Sequence, residues 1–208
     1  MRVLVTGGSG VLGRAAILRL RTLGHEVSAP PHGELDVLDR DVLQAAVTSA
    51  DAVYHLATRI PQGGGDWAAN DRVRQDGTRL LVDAALGSEV AVFVLPTVVF
   101  VYPPGPADEG TPVVPHEHLR SALAAEEEVA RFAAAGRRGV VLRLGRLWGP
   151  GTDADRPTGD LPQLHVDDAG AALAAALVVP SGLYNVVADG NAVSNRRFKA
   201  ASGWMPAR

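Results

Sequence analysis

Cysteine is absent from all 208 residues, which excludes disulfides, thiolate metal centres and a cysteine nucleophile, and fits a reducing compartment. Lysine occurs once, at Lys199, and tyrosine only at Tyr54, Tyr102 and Tyr184, so no Tyr-x-x-x-Lys pair exists anywhere in the chain. No apolar run approaches the ~20 residues of a membrane span, and the first is too short and glycine-interrupted for a signal peptide. A cytoplasmic protein that makes no use of a membrane is therefore expected. The net charge is only −3 and the arginines are scattered, so the electrostatic footprint of a nucleic-acid binder is missing. A small-molecule partner is expected instead. At 47% hydrophobic content the chain can bury one substantial core, which predicts a single domain over residues 1–208.

What is present begins at once. Val3 to Val5 reads as a buried parallel strand, followed by Gly7, Gly8, Gly10 and Gly13 and then by a helical pattern from Val11 to Leu23 that stops at Gly24. Leu12, Ala15, Ala16, Leu18 and Leu20 form its expected apolar face. Glycines in such a turn let the backbone take positive φ and approach a ligand, while the helix behind them offers free N–H groups and a positive dipole end. A pyrophosphate fits there. Gly8, Gly10 and Gly13 satisfy the dinucleotide fingerprint G-x-G-x-x-G, so residues Gly7, Gly8, Ser9, Gly10, Val11, Leu12 and Gly13 are the expected cradle of NAD or NADP.

The acid that binds an adenosine ribose belongs about 20 residues beyond such glycines, at the end of a second strand expected over His25 to Ala29. Ala29, Pro30, Pro31 and His32 stand there, so neither NAD nor NADP is selected and His32 is the polar candidate. Further on, Asp39 to Ser49 reads as an amphipathic helix and Ala52 to Leu56 as a short buried strand.

Thr6, Gly7, Gly10 and Gly13 also spell T-G-x-x-G-x-x-G, which resembles the extended short-chain dehydrogenases/reductases, the NAD-dependent epimerases and dehydratases. The likeness continues through Leu35-Asp36-Val37, His55-Leu56-Ala57-Thr58, QDGTRLLVDAA from Gln75, LHVDD from Leu164 and Tyr184-Asn185-Val186. It implies a doubly wound Rossmann-type α/β fold, a parallel sheet with helices on both faces, and a trimmed substrate region from about residue 146 to 208. It implies that Asp36 and Val37 contact the adenine and that Leu56, Ala57 and Thr58 lie along the cofactor. A turn cap is the competing reading of Asp36. A homodimer through the helices at residues 74–85 and 119–132 is also implied.

The catalytic set of that family is missing. In register, Val98 stands at its serine or threonine, His118 at its tyrosine and Ala122 at its lysine, while Arg74 replaces an asparagine. In the family the lysine lowers the tyrosine pKa and the tyrosine moves the proton during hydride transfer. Three function classes stay open: an atypical NAD(P)-dependent oxidoreductase or epimerase/dehydratase acting on a small carbonyl, hydroxyl or sugar-type substrate; a non-redox isomerase, lyase or cyclase; and a non-catalytic dinucleotide binder. For the first, His118, Tyr102 and Thr97 are the candidate proton-handling residues.

Other features have plainer expectations. Ile60 to Asp66 reads as a loop beside the cofactor, and the helix after His116 is expected to bury Leu119, Leu123, Ala130 and Ala133 and to expose Glu126 to Glu128. Asp167 and Asp168 read as caps of the helix that follows them. His116 and His118 have no third ligand nearby, so no metal site is expected.

Overall fold

The computed structural model describes residues 1–61 and 65–208; Gln62, Gly63 and Gly64 of the expected cofactor-side loop lie outside the described residues. Six strands form one parallel sheet in the order β2-β1-β3-β4-β5-β8. They are β1 (Arg2–Thr6), β2 (Glu26–Ser28), β3 (Ala52–His55), β4 (Val92–Val98), β5 (Arg138–Leu144) and β8 (Gly182–Val186). The chain runs β1 to β2 on one side and then returns across β1 to β3. The switch point of the doubly wound fold therefore lies at the carboxyl end of β1, where a ligand crevice opens. β6 (Arg146–Trp148) and β7 (Gln163–His165) pair apart from the main sheet, within the trimmed region.

Alternation along the strands builds two cores. Val3, Val5, Tyr54, Val94 and Leu142 point to the face covered by α1 (Val11–Thr22), α6 (Val166–Ala175) and α7 (Arg196–Ser202). Leu4, Val53, Phe93, Leu95 and Val141 point to the face covered by α2 (Arg40–Val47), α4 (Thr78–Leu86) and α5 (Arg120–Ala134). Helices α1 and α6 come so close that a Cβ on Gly170 would lie 2.9 Å from the Ala15 carbonyl oxygen. Asp39 caps α2 by accepting from the amides of Asp41 and Val42.

Several sequence expectations need correction. Leu18 is 66% exposed, because the α1 face that meets the sheet is set by Gly13, Ala16 and Leu20. The buried face of α5 carries Ala122, Ala125, Val129 and Phe132 rather than Leu119, Leu123, Ala130 and Ala133. Asp168 does not cap α6: the Nδ1 of His165 accepts from the Asp167 amide at the cap, while the Asp168 carboxylate accepts from the amides of Ala207 and Arg208. The helix before β4 also departs from uniform winding. Between α3 (Ala68–Arg72) and α4 it makes a π turn over Val73–Gly77, a local feature often found beside functional sites.

Candidate functional site

The glycine turn shows which glycines the fold needs and which leave room. Gly7 has φ +72° and a Cβ there would lie 2.6 Å from the Ala57 nitrogen; on Gly8 it would lie 2.8 Å from the Ala29 Cβ, and on Gly13 2.8 Å from the Gly8 Cα. Gly10 differs, since its Cβ would meet only the Gly7 carbonyl oxygen, at 3.3 Å. Gly10 is the N-cap of α1, no side chain caps the helix and no acidic residue stands in its first turn. The free amides and the positive helix end are thus left for an anion.

Two cavities meet at this turn, both bordered by Gly7, Gly10, Leu56, Ala57 and Thr58. The smaller, of about 330 Å³, runs past Gly8 and Ser9 to His32, Asp36 and Val37. The larger, of about 660 Å³, takes in Val11, Leu12 and Gly13 and reaches the ends of β4 and β5. Every residue expected to hold the cofactor therefore borders one cleft. Asp36 is also a turn cap, its Oδ1 accepting from the Leu38 amide at 2.9 Å. Arg59, which sequence reasoning overlooked, lines the smaller cavity together with His32.

At the floor of the larger cavity His55 is buried, and burial pushes its pKa down to about 4, with the Val73 carbonyl offsetting a little of the shift. The imidazole is neutral at pH 7. Its Nδ1 lies 2.7 Å from Thr6 Oγ1, which in turn accepts from the Ala57 amide at 3.3 Å, and Nε2 meets no partner with hydrogen-bond geometry among the described residues.

Thr97 lines the same cavity, but its hydroxyl proton is already committed, donated to Glu126 Oε1 at 2.6 Å. Glu126 is buried rather than solvated, because Arg143 from β5 grips it with two bonds, Nε to Oε1 at 3.0 Å and Nη2 to Oε2 at 2.6 Å. This overturns its expected place on a solvated face, a long-range pairing that a local charge run does not disclose. Arg143 also lies over the Tyr102 ring, 4.9 Å from its centroid, and the Tyr102 hydroxyl donates to Asn185 Oδ1 at 3.0 Å. Burial, partly offset by Arg143, raises the Tyr102 pKa. Tyr102 is thus part of a buried polar network, and it does not border the cleft.

His118 is likewise not brought in. Its exposed ring stacks on Trp67, centroids 5.2 Å apart and planes 19° from parallel, and the α5 wall of the cleft is Ala122 and Ala125. On the facing helix Arg74 and Thr78 line the cavity. Burial lowers the Arg74 pKa, partly offset by Asp71. At the mouth Arg146 pairs with Asp153 at 3.3 Å. Among the described residues no group of three or more His, Cys, Asp or Glu side chains could hold a metal ion.

The chain has recognisable relatives. It is 33% identical, over 99% of its own length and 80% of the relative's, to the 3-diazoavenalumate denitrifying reductase of a Streptomyces species. It is 29% identical, over 72% of its length and 55% of the relative's, to the dTDP-glucose 4,6-dehydratase of Streptomyces niveus. Among solved structures, an NAD-bound short-chain dehydrogenase/reductase superfamily protein from Agrobacterium tumefaciens superposes with a TM-score of 0.86 at 20% identity, covering all of this chain and 93% of that one. The UDP-glucose 4-epimerase of Thermus thermophilus in complex with NAD gives 0.85 at 21% identity, covering all of this chain and 94% of that one. These likenesses show the same fold. Residues 3–183 match the family model described as NAD dependent epimerase/dehydratase, and with that match the chain belongs to this family of the extended short-chain dehydrogenases/reductases.

Proposed function

We propose that this protein is an NAD(P)H-dependent reductase whose acceptor takes up hydride without a proton from the enzyme, an organic diazonium being the acceptor class that fits best. The observation that carries the reading is the α5 wall of the cleft: Ala122 and Ala125 stand there and His118 is turned out. The remaining polar groups do not replace the lost acid, since Thr97 has donated its proton to Glu126 and His55 is neutral with its pKa held near 4.

The amides at the start of α1 would hold the pyrophosphate, which Gly10 leaves room to approach, while His32, Asp36 and Val37 would border the adenosine and Leu56, Ala57 and Thr58 the path toward β4. A reduced nicotinamide held there would supply hydride; on an organic diazonium the C–H bond would form as the C–N bond breaks, the C–N electron pair leaving with dinitrogen. Since the leaving group is neutral N2, no heteroatom is left needing a proton. Reduction of a ketone, by contrast, produces an alkoxide that the Tyr–Lys pair would have to neutralise. The name of the Streptomyces relative, a diazo-denitrifying reductase, supports the same acceptor class.

The test is turnover with an arenediazonium salt and with a ketone, each with NADH and NADPH, following loss of the reduced nicotinamide, release of N2 and transfer of deuterium from the labelled cofactor to the product carbon. Consumption of the diazonium with deuterium in the new C–H bond is expected. Enzyme that reduces the ketone and not the diazonium, or neither, overturns the proposal.

A further inference from the structure

The large cavity holds more unmet polar capacity than its catalytic reading uses. Two residues that line it carry a buried side-chain atom without a hydrogen-bond partner among the described residues, Arg74 at Nη1 and Thr78 at Oγ1. Arg74 is the informative one. It makes no ion pair within 4.0 Å among the described residues, and the carboxylate of its neighbour Asp71 accepts instead from Ser121 Oγ at 2.6 Å. Arg143 is matched by the bidentate Glu126 and Arg137 by the backbone carbonyls of Ala85, Leu86 and Val90, whereas Arg138 on β5 also carries a buried Nε without a partner among the described residues but does not line the cavity. A guanidinium half removed from water without an acceptor is costly, so a ligand that supplies one is strongly favoured.

We infer that Arg74 binds a carboxylate on the substrate, and that the substrate is a monoanion with an apolar, preferably aromatic, body. The charge count of the cavity sets the first part. Its ionised lining residues are Arg74, Arg146 and Asp153; Arg146 and Asp153 cancel in their ion pair, and neutral His55 adds nothing. One uncompensated positive charge suits a carboxylate and leaves the diphosphate of a sugar nucleotide without counter-charge. The apolar body follows from Phe100, Ala122, Ala125, Leu144 and Leu147, which make up much of the remaining wall. Arg74 lines the same cavity as Ala122 and Ala125 of α5, so the carboxylate fixes one end of the substrate. Thr97, with its proton given to Glu126, can only accept, which suits a donor such as a ring hydroxyl on the same substrate.

This inference rests on a substrate entering the cleft beside the cofactor, as proposed above, and not on the diazonium chemistry. It is tested by binding alone, so its failure is separable from failure of turnover. Calorimetric titration of the protein saturated with NAD+ or NADP+ uses 4-hydroxycinnamate and its methyl ester as probes. The acid is expected to bind and the ester to bind about 30-fold or more weakly; Arg74→Met should cost the acid a similar factor and leave the ester and the dinucleotide unchanged. Arg74→Lys should recover part of the loss. Thermal midpoints report whether the variants fold. Equal affinity of wild type for acid and ester, binding of neither, or an Arg74→Met variant that loses the dinucleotide and not the acid would overturn it, the last by giving Arg74 to a cofactor phosphate.

Discussion

Glu126 on α5 and Arg143 on β5 form a bidentate pair inside the protein, with side-chain exposures of 9% and 6%. The pair ties the helix that walls the cleft to the sheet and also accepts the Thr97 proton. Removing one partner leaves the other charge buried and unpaired, so Glu126→Ala should cost about 3–5 kcal/mol, read from the urea midpoint. Replacing both, Glu126→Leu with Arg143→Met, should return most of that stability. A loss under about 1 kcal/mol in the single variant would show that the pair is not closed in solution.

The glycine turn gives two opposite outcomes for the same change. A Gly10→Val side chain is expected to project into the cleft, because only the Gly7 carbonyl oxygen stands near its Cβ, and to weaken dinucleotide binding at least about tenfold with the sheet intact. Gly13→Val should instead destabilise the fold, since its Cβ would be driven into Gly8. Titration with all four nicotinamide dinucleotides alongside far-ultraviolet circular dichroism separates the two. Unimpaired binding by Gly10→Val would place the pyrophosphate elsewhere.

His55 makes stability depend on pH. Burial holds its folded pKa near 4, below the ordinary value of about 6.5 of an unfolded chain. Between these values the unfolded state binds the extra proton, so the contribution is fully present above pH 6.5 and is lost as pH falls toward 4. The size is roughly 3 kcal/mol. His55→Gln should flatten that window in urea titrations run from pH 7 to pH 4, and an unchanged slope would refute the assignment.

His118 should matter little. With its ring exposed and stacked on Trp67, His118→Ala is expected to leave turnover within about twofold and to add no change to the pH–rate profile. A loss of roughly a hundredfold or more, as for a general acid, would bring His118 back as the proton donor.

The turn at Gly7 to Gly13 was fully legible because its signal is local: spacing, a strand before and a helix after. The parallel sheet followed from apolar runs of strand length between helical patterns. The α5 face was not legible. Alanines dominate that helix, so hydrophobic periodicity says little, and Glu126 is drawn inward by an arginine 17 residues away in sequence. Asp168 was misread for the same reason, its partners lying 39 and 40 residues further along the chain. Arg59 and the unmet charge of Arg74 are products of assembly, and neither belongs to a motif. The arginine at position 74, where the family has an asparagine, is the one visible hint, and its meaning depends on the fold, in which no acid among the described residues forms an ion pair with it.

The π turn over Val73–Gly77 makes the placement of the cleft's charge depend on chain length. A π turn accommodates one residue more than the i→i+4 pattern on either side, and one residue of α-helix corresponds to about 100° of rotation. Removing a single residue between Arg74 and Thr78 would let the whole helix wind uniformly and would rotate the two relative to each other by only roughly 30°. The placement of Arg74 relative to Thr78 is therefore adjustable in small steps by an insertion or deletion, with no side chain exchanged.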